Sequence, residues 1–106
     1  MARRISPEQG AQYFAEGIYQ FIDIRDPASF AAGHIRGSRS LTHSTVDEFL
    51  VQTDREQPLV VYCYHGNSSQ QASDWLHQQG FSQVVSLDGG YEVFRQHYAD
   101  YIEETA

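Results

Sequence analysis

Cys63 is the sole cysteine of the chain, and it opens the run Cys63-Tyr64-His65-Gly66-Asn67-Ser68. A thiol is a strong nucleophile only as the thiolate, so the neighbouring residues decide whether it is reactive. Gly66 permits a positive φ or a close backbone approach, and Asn67 and Ser68 can satisfy exposed backbone groups, so the run can curl around its first residue. Curled in this way, its N–H groups form an anion-binding nest, joined by the free N–H groups of a helix beginning near Ser68. Such a nest favours a thiolate and equally holds a negative persulfide sulfur. The competing reading is a small apolar residue closing a core strand, the commoner fate of a lone cysteine. The polar loop and the helix signal behind it weigh against that.

Other candidates carry less chemistry. Asp23 and Arg25 flank a strand end, where functional residues gather, yet a charge pair tying two segments together is the simpler expectation. His65 is either a substrate contact or a solvent-facing loop histidine. Ser68 reads as the N-cap of the following helix, with a hydroxyl or N–H directed at a bound sulfur as an additional role. His34, in the Gly33-His34-Ile35 turn, reads as structural, donating a hydrogen bond to a nearby carbonyl. His43, His77 and His97 share no spacing that builds a metal site, and one cysteine cannot form a cysteine-rich zinc cluster, so no metal is expected. Gly89-Gly90 lacks the pattern and context of a dinucleotide fingerprint.

The elements that must position these residues alternate between strand and helix signals. Ser6-Pro7-Glu8-Gln9 marks a helix start and Gly17 its end. The apolar run Ile18–Ile24 predicts a largely buried strand. Asp26-Pro27 opens a short helix that Gly33 closes, a brief strand is expected near Ser40-Leu41, and Ser44 to Gln52 has amphipathic spacing. Leu59-Val60-Val61-Tyr62-Cys63 is continuously apolar, as suits the centre of a parallel sheet. Ser68-Ser69-Gln70-Gln71 resembles a capping box, and Ala72, Trp75 and Leu76 then mark one helical face, which places Trp75 in the core. Val84–Leu87 predicts a further strand, and Tyr91, Phe94, Arg95 and Tyr98 resume helical spacing before an acidic tail that should fray. Alternation of this kind predicts an α/β layer with a mostly parallel sheet, because parallel neighbours need crossover connections.

Length and composition bound the answer. A chain of 106 residues, 41% hydrophobic and 13% aromatic, suits a single domain, taken as residues 1–106, with one packed core. Seven arginines without a lysine stand against fourteen acidic residues, and the net charge of -7 repels phosphate backbones and anionic headgroups. Neither nucleic acid nor a membrane is an expected partner. The single cysteine and the absence of an apolar leader after Met1-Ala2-Arg3-Arg4 predict a cytoplasmic protein; a monomer or weak dimer is expected.

Taken together, the motifs resemble a known family. Cys63-Tyr64-His65-Gly66-Asn67-Ser68-Ser69 resembles the active-site loop of single-domain rhodaneses. Asp23-Ile24-Arg25-Asp26, with Phe30 and Gly33-His34-Ile35-Arg36-Gly37-Ser38, resembles their first signature, and Leu87-Asp88-Gly89-Gly90-Tyr91 with Phe94 the one near the C-terminus. Each motif alone is weak, but their order around a cysteine loop is specific. The resemblance implies a rhodanese-like α/β fold, a small mostly parallel sheet flanked by helices on both faces. It implies Cys63 as the nucleophile, Tyr64, His65, Gly66, Asn67 and Ser68 as substrate-binding, and Asp23 and Arg25 as supporting residues, with no cofactor.

The chemistry implied is transfer of the sulfane sulfur of thiosulfate, through a Cys63 persulfide, to cyanide or a thioredoxin-like dithiol. The alternative is a persulfide carrier or sulfide-sensing module that delivers sulfur to a protein partner. Relatives acting on phosphate or arsenate have a loop one residue longer, and cysteine phosphatases place an arginine after it where this chain has Ser69. The chain also departs from the family, since thiosulfate-preferring rhodaneses often carry Arg-Lys where Tyr64-His65 stands. His65 supplies part of that charge only when protonated, and with an unperturbed pKa of about 6.5 its help falls away as pH rises.

Overall fold

The computed structural model describes residues 2–105; Met1 and Ala106, which the single-domain expectation includes, lie outside the described residues. The central strand forms where the sequence is most continuously apolar: β5, Leu59–Tyr62, is buried along its whole length. On one side it pairs with β2, Gln20–Asp23, and on the other with β6, Val84–Leu87, both parallel. The edges are β4, Arg39–Ser40, beside β2, and β1, Arg3–Ile5, beside β6. The result is a five-stranded parallel sheet in the order β1-β6-β5-β2-β4.

Side chains alternate across a strand, so this sheet builds a core on each face. Phe21, Val60, Val85 and Leu87 pack on one face under α1, Pro7–Glu16, and α5, Gly90–His97, which contribute Ala11, Tyr91 and Phe94. Ile22, Leu59, Val61 and Val84 pack on the other under α3, Val46–Gln52, and α4, Ser68–Gln78, through Phe49 and Leu76. Each fully buried aliphatic side chain contributes about 1.5–3 kcal/mol, which is why β5, apolar toward both faces, takes the centre. Helices therefore flank both faces, as expected.

Local signals set the helix ends. Ser6 caps α1 by accepting from Gln9 N–H, Pro7 fills the first turn, and Gly17 closes the helix in the left-handed region. Asp26 caps α2, Pro27–Ala32, in the same manner by accepting from Ser29 N–H. Beyond the capped starts, several expectations fail for physical reasons. The β2 strand is shorter than its apolar run, and Ile18 is 61% exposed, because pairing with β5 begins only at Gln20. Arg3–Ile5, with Ile5 its single buried residue, is too short to announce itself as a strand, yet it extends the sheet.

The acidic tail does not fray within the described residues. A 3-10 turn, Ala99–Tyr101, leads into β7, Ile102–Glu103, which pairs antiparallel with β3, His34–Ile35. Glu103 Oε1 lies 3.1 Å from His34 Nε2 and accepts from Gly37 N–H, while His34 Nδ1 meets the Phe30 carbonyl at 2.7 Å. The structural reading of His34 holds, but its carboxylate partner comes from the far end of the chain. No helix of the described residues is long and apolar enough to cross a membrane.

Candidate active site

Because β5 and β2 run parallel and in register, their carboxyl ends lie side by side: Asp23 pairs with Tyr62, and Cys63 is the first residue beyond β5. The loop after Cys63 turns at Gly66, whose φ of 92° is open to glycine without strain; a Cβ there would lie 2.9 Å from Gly89 N. The start of α5 holds the loop from outside. Tyr91 N–H donates to the Cys63 carbonyl at 2.8 Å and Glu92 N–H to that of Tyr64 at 3.0 Å. Gln70 Nε2 donates to the Gly66 carbonyl. With these carbonyls engaged elsewhere, the loop's N–H groups are left to face the sulfur.

They do so. Cys63 Sγ accepts from Gly66 N–H at 3.2 Å and from Ser69 N–H at 3.3 Å, and its thiol donates to Ser69 Oγ at 3.4 Å. Ser69 Oγ in turn lies 2.8 Å from Ser86 Oγ. Burial pushes the thiol up, but the hydrogen bonds from Ser69, first from its side chain and then its backbone, and from the Gly66 and His65 N–H groups outweigh it and hold the Cys63 pKa below the ordinary cysteine value. Cys63 is only 7% exposed, so chemistry must come to it through a cavity of about 220 Å³. Ile24, Arg25, Tyr64, His65, Asn67 and Ser68 line that cavity, and Gly66 contributes its N–H.

Arg25 is the other charged feature of the cavity, and it is already occupied. Its Nε donates to both Asp23 oxygens, and its Nη2 to Asp23 Oδ2 at 2.7 Å and the Gly33 carbonyl at 2.6 Å. The guanidinium carbon lies 3.9 Å from the centroid of the Tyr91 ring and 5.0 Å from that of Tyr64. Burial works against the Arg25 charge, but hydrogen bonding and attraction to Asp23 prevail and hold it protonated. The pair thus ties the end of β2 to the residue that closes α2 and lays a cation against two aromatic rings beside the cysteine loop. Tyr64 is braced further by its hydroxyl, which donates to Ser29 Oγ.

Two helix-related expectations need correction. Ser68 is not a cap: α4 starts at Ser68 itself, its N-cap is Asn67 in helical backbone geometry, and no side chain caps it. The helix enters directly from the curled loop, whose own turns already use the first amides on sulfur. Trp75 is 40% exposed instead of core, because the buried line along α4 runs through Ser69, Ser73 and Leu76 and Trp75 stands at its edge. It borders a groove of about 1000 Å³ that shares Ile24, Arg25 and Ser68 with the cysteine cavity.

Sequence reasoning also passed over residues that hold the sulfur. Ser69 was informative there only as a missing arginine, and Ser86 only as part of a strand. The available signal was a lone hydroxyl residue inside the buried run Val84-Val85-Ser86-Leu87, which burial without a partner would make costly. Gly90 belongs with them, since a Cβ on it would sit 2.6 Å from both the Cys63 and Tyr64 carbonyl oxygens.

A cysteine cradled by backbone amides at the carboxyl end of the central strand of a parallel sheet defines a class: α/β proteins whose loop holds an anion on or against a thiolate. Within it the chain belongs to the rhodanese family, the Rhodanese-like domain model matching residues 6–97. It is 54% identical over 96 residues to the thiosulfate sulfurtransferase GlpE of Pseudomonas aeruginosa (strain LESB58), covering 91% of this chain and 86% of that one. Its identity to the protein of the same name from Ectopseudomonas mendocina is 50% over 104 residues, covering 98% and 92%. Among solved structures, the Rhodanese-like domain of an Anabaena protein matches with a TM-score of 0.85 at 21% identity, covering 98% of this chain and 80% of that one, a likeness of fold alone. A rhodanese-related protein from Thermoplasma volcanium matches with a TM-score of 0.77 at 26% identity, covering 91% and 93%.

Proposed function

We propose that this protein is a thiosulfate sulfurtransferase that works through a persulfide on Cys63. The observation that carries the mechanism is the convergence of Gly66 N–H and Ser69 N–H on a sulfur that also contacts the Ser69 hydroxyl, at the floor of a small cavity. The name shared by relatives of about half identity supports the donor. The Cys63 thiolate attacks the outer sulfur of thiosulfate; the new S–S bond forms as the old one breaks, and its electron pair leaves with sulfite. The persulfide then carries one negative charge on its terminal sulfur, and inward N–H donors offset that charge without a fixed cation. Tyr64, His65, Asn67 and Ser68 form the walls against which the donor is oriented, while Asp23 and Arg25 support the loop.

Transfer to cyanide yields thiocyanate and regenerates the thiolate. A dithiol of the thioredoxin type takes the sulfur as its own persulfide, and its second thiol then expels hydrosulfide as the disulfide closes. No second cysteine exists in the chain to perform that step internally, so an outside acceptor is required. The same lone cysteine also suits the second reading, a persulfide carrier or sulfide-sensing module that hands sulfur to a protein partner.

Mass spectrometry tests both. Thiosulfate should add the mass of one sulfur atom, and Cys63→Ser should abolish the adduct and thiocyanate formation; an active Cys63→Ser variant overturns the mechanism. Turnover with cyanide marks the enzyme. A stable adduct that discharges only onto a protein dithiol marks the carrier.

A further inference from the structure

Resting on the persulfide reading, the geometry points to Ser86 as a positioning residue that acts through Ser69 to keep a hydroxyl hydrogen directed at the Cys63 sulfur. Ser86 lies on β6 in register with Val61, one residue pair from the end of β5, and it faces the start of α4. Both serines are fully buried. Their hydroxyls form a chain of two contacts, Sγ to Ser69 Oγ at 3.4 Å and Ser69 Oγ to Ser86 Oγ at 2.8 Å, and neither hydroxyl has another partner among the described residues.

Counting hydrogens along this chain gives it a direction. When the Cys63 thiol donates to Ser69 Oγ, three hydrogens, one on sulfur and one on each oxygen, share two contacts, and one of them is left without a partner in the chain of contacts unless the S–H turns away into the cavity. When the S–H bond breaks and its proton passes to solvent water, two hydrogens fill two contacts. Ser86 then donates to Ser69, and Ser69 donates to the anionic sulfur. The inner sulfur of a persulfide carries no hydrogen either, so the same orientation serves both states of the cycle. Hydrogen bonds in a chain polarise one another, and the outer hydroxyl strengthens the inner one. Ser86 thus favours sulfur without a proton although it never touches it.

Charged and titratable groups also surround the cavity, and Ser86 must be separated from them. Arg25, with its partner Asp23, lies at the end of β2, and Tyr62 at the end of β5. Tyr64 and His65 are in the loop, while Tyr91 and the Glu92–Arg95 ion pair are on α5. From β6 and α4 the groups directed at the sulfur are hydroxyls and an amide. Substitutions at Ser69 and Ser86 therefore change the hydroxyl chain and leave these charges in place.

The test is the pH profile of alkylation by iodoacetamide, read on the full chain. Cys63 is the only thiol, and no sulfur donor is needed, so the profile remains readable even if the protein fails to load sulfur from thiosulfate. Ser86→Ala and Ser86→Val should each raise the alkylation midpoint by about half a pH unit, the indirect part of a hydrogen bond to a charged group. Ser86→Thr, matched in shape to Val but retaining the hydroxyl, should return it to near the unsubstituted value. Ser69→Ala should raise it by about one unit or more, and adding Ser86→Ala to Ser69→Ala should shift it no further, because the effect passes through Ser69. An unmoved midpoint in folded Ser86→Ala or Ser86→Val overturns the inference. So do equal shifts for Thr and Val, or full additivity in the double variant. Unmoved midpoints with sulfur loading intact remove the relay alone, whereas failed loading with the expected shifts removes the sulfurtransferase reading alone.

Discussion

Two buried polar clusters sit side by side at the carboxyl ends of neighbouring strands, and they are built to opposite purposes. At the end of β2, Asp23 and Arg25 close on each other: both carboxylate oxygens and the guanidinium are engaged, and Gly33 takes a further hydrogen bond. At the end of β5, N–H donors converge on Cys63 from the loop and α4, and among the described residues no cation is hydrogen-bonded to the sulfur. The first cluster is complete and holds the fold together. The second turns N–H donors on a single sulfur, the arrangement on which the proposed chemistry rests. Charge balance within a cluster, more than burial, separates structural polar residues from reactive ones here.

The largest expected effects would set the two clusters furthest apart. Asp23→Ala leaves Arg25 buried without its partner and should cost about 3–5 kcal/mol, lowering the thermal midpoint by well over 10 °C. Cys63→Ala should change that midpoint by a few degrees at most while removing all sulfur loading. A thermal scan of both variants beside a loading assay decides the matter; equal destabilisation would erase the distinction drawn between the clusters.

Gly90→Ala comes next, because it attacks the outside of the cysteine loop alone. The left-handed backbone at Gly90, with φ of 61°, and the 2.6 Å approach to the Cys63 and Tyr64 carbonyl oxygens should turn the loop's amides off the sulfur. Loss of one charge-assisted hydrogen bond of about 1.5–3 kcal/mol predicts roughly a tenfold to hundredfold slower loading by stopped reaction with thiosulfate. Wild-type rates in a folded Gly90→Ala protein would show that α5 does not orient the loop.

The pH dependence sharpens the comparison further. Since the folded Cys63 pKa is lowered, its thiolate persists below the usual cysteine value, and the alkylation midpoint should fall below that of an unstructured cysteine peptide measured alongside. A midpoint at or above that value would mean that burial outweighs the donors. The smallest effect belongs to His65, which is exposed at the cavity wall: His65→Ala should raise KM for thiosulfate less than about fivefold with kcat nearly unchanged.

Much of this arrangement is legible in the linear chain because it depends on short-range chemistry. The apolar run of β5, the Ser6-Pro7 and Asp26-Pro27 starts, the glycine in the cysteine loop and the position of Cys63 after the central strand all follow from neighbours within a few residues. The Asp23–Arg25 pair is local as well, two residues apart, and the structure shows it as the charge pair expected. By contrast, β7 could not be read from an acidic tail, since its pairing partner at His34–Ile35 lies far back in the chain. Trp75 and Ser68 differ from expectation for a related reason. Helical periodicity finds a face but not its exact rotation against the sheet, and a helix entered from a curled loop needs no side-chain cap.

Sequence by itself therefore determined the family, the place of Cys63 just beyond the central strand and the loop that surrounds it, because strand propensity, turn residues and helix starts are written in adjacent positions. Only the tertiary structure decided what faces the sulfur. Gly90 is 27 positions from Cys63 in the chain and Ser86 23, and a parallel sheet with crossover helices is what brings them to the same loop. Anion stabilisation depends on the direction of each N–H and O–H, a matter of angles between elements distant in sequence. Residue type alone does not encode those angles.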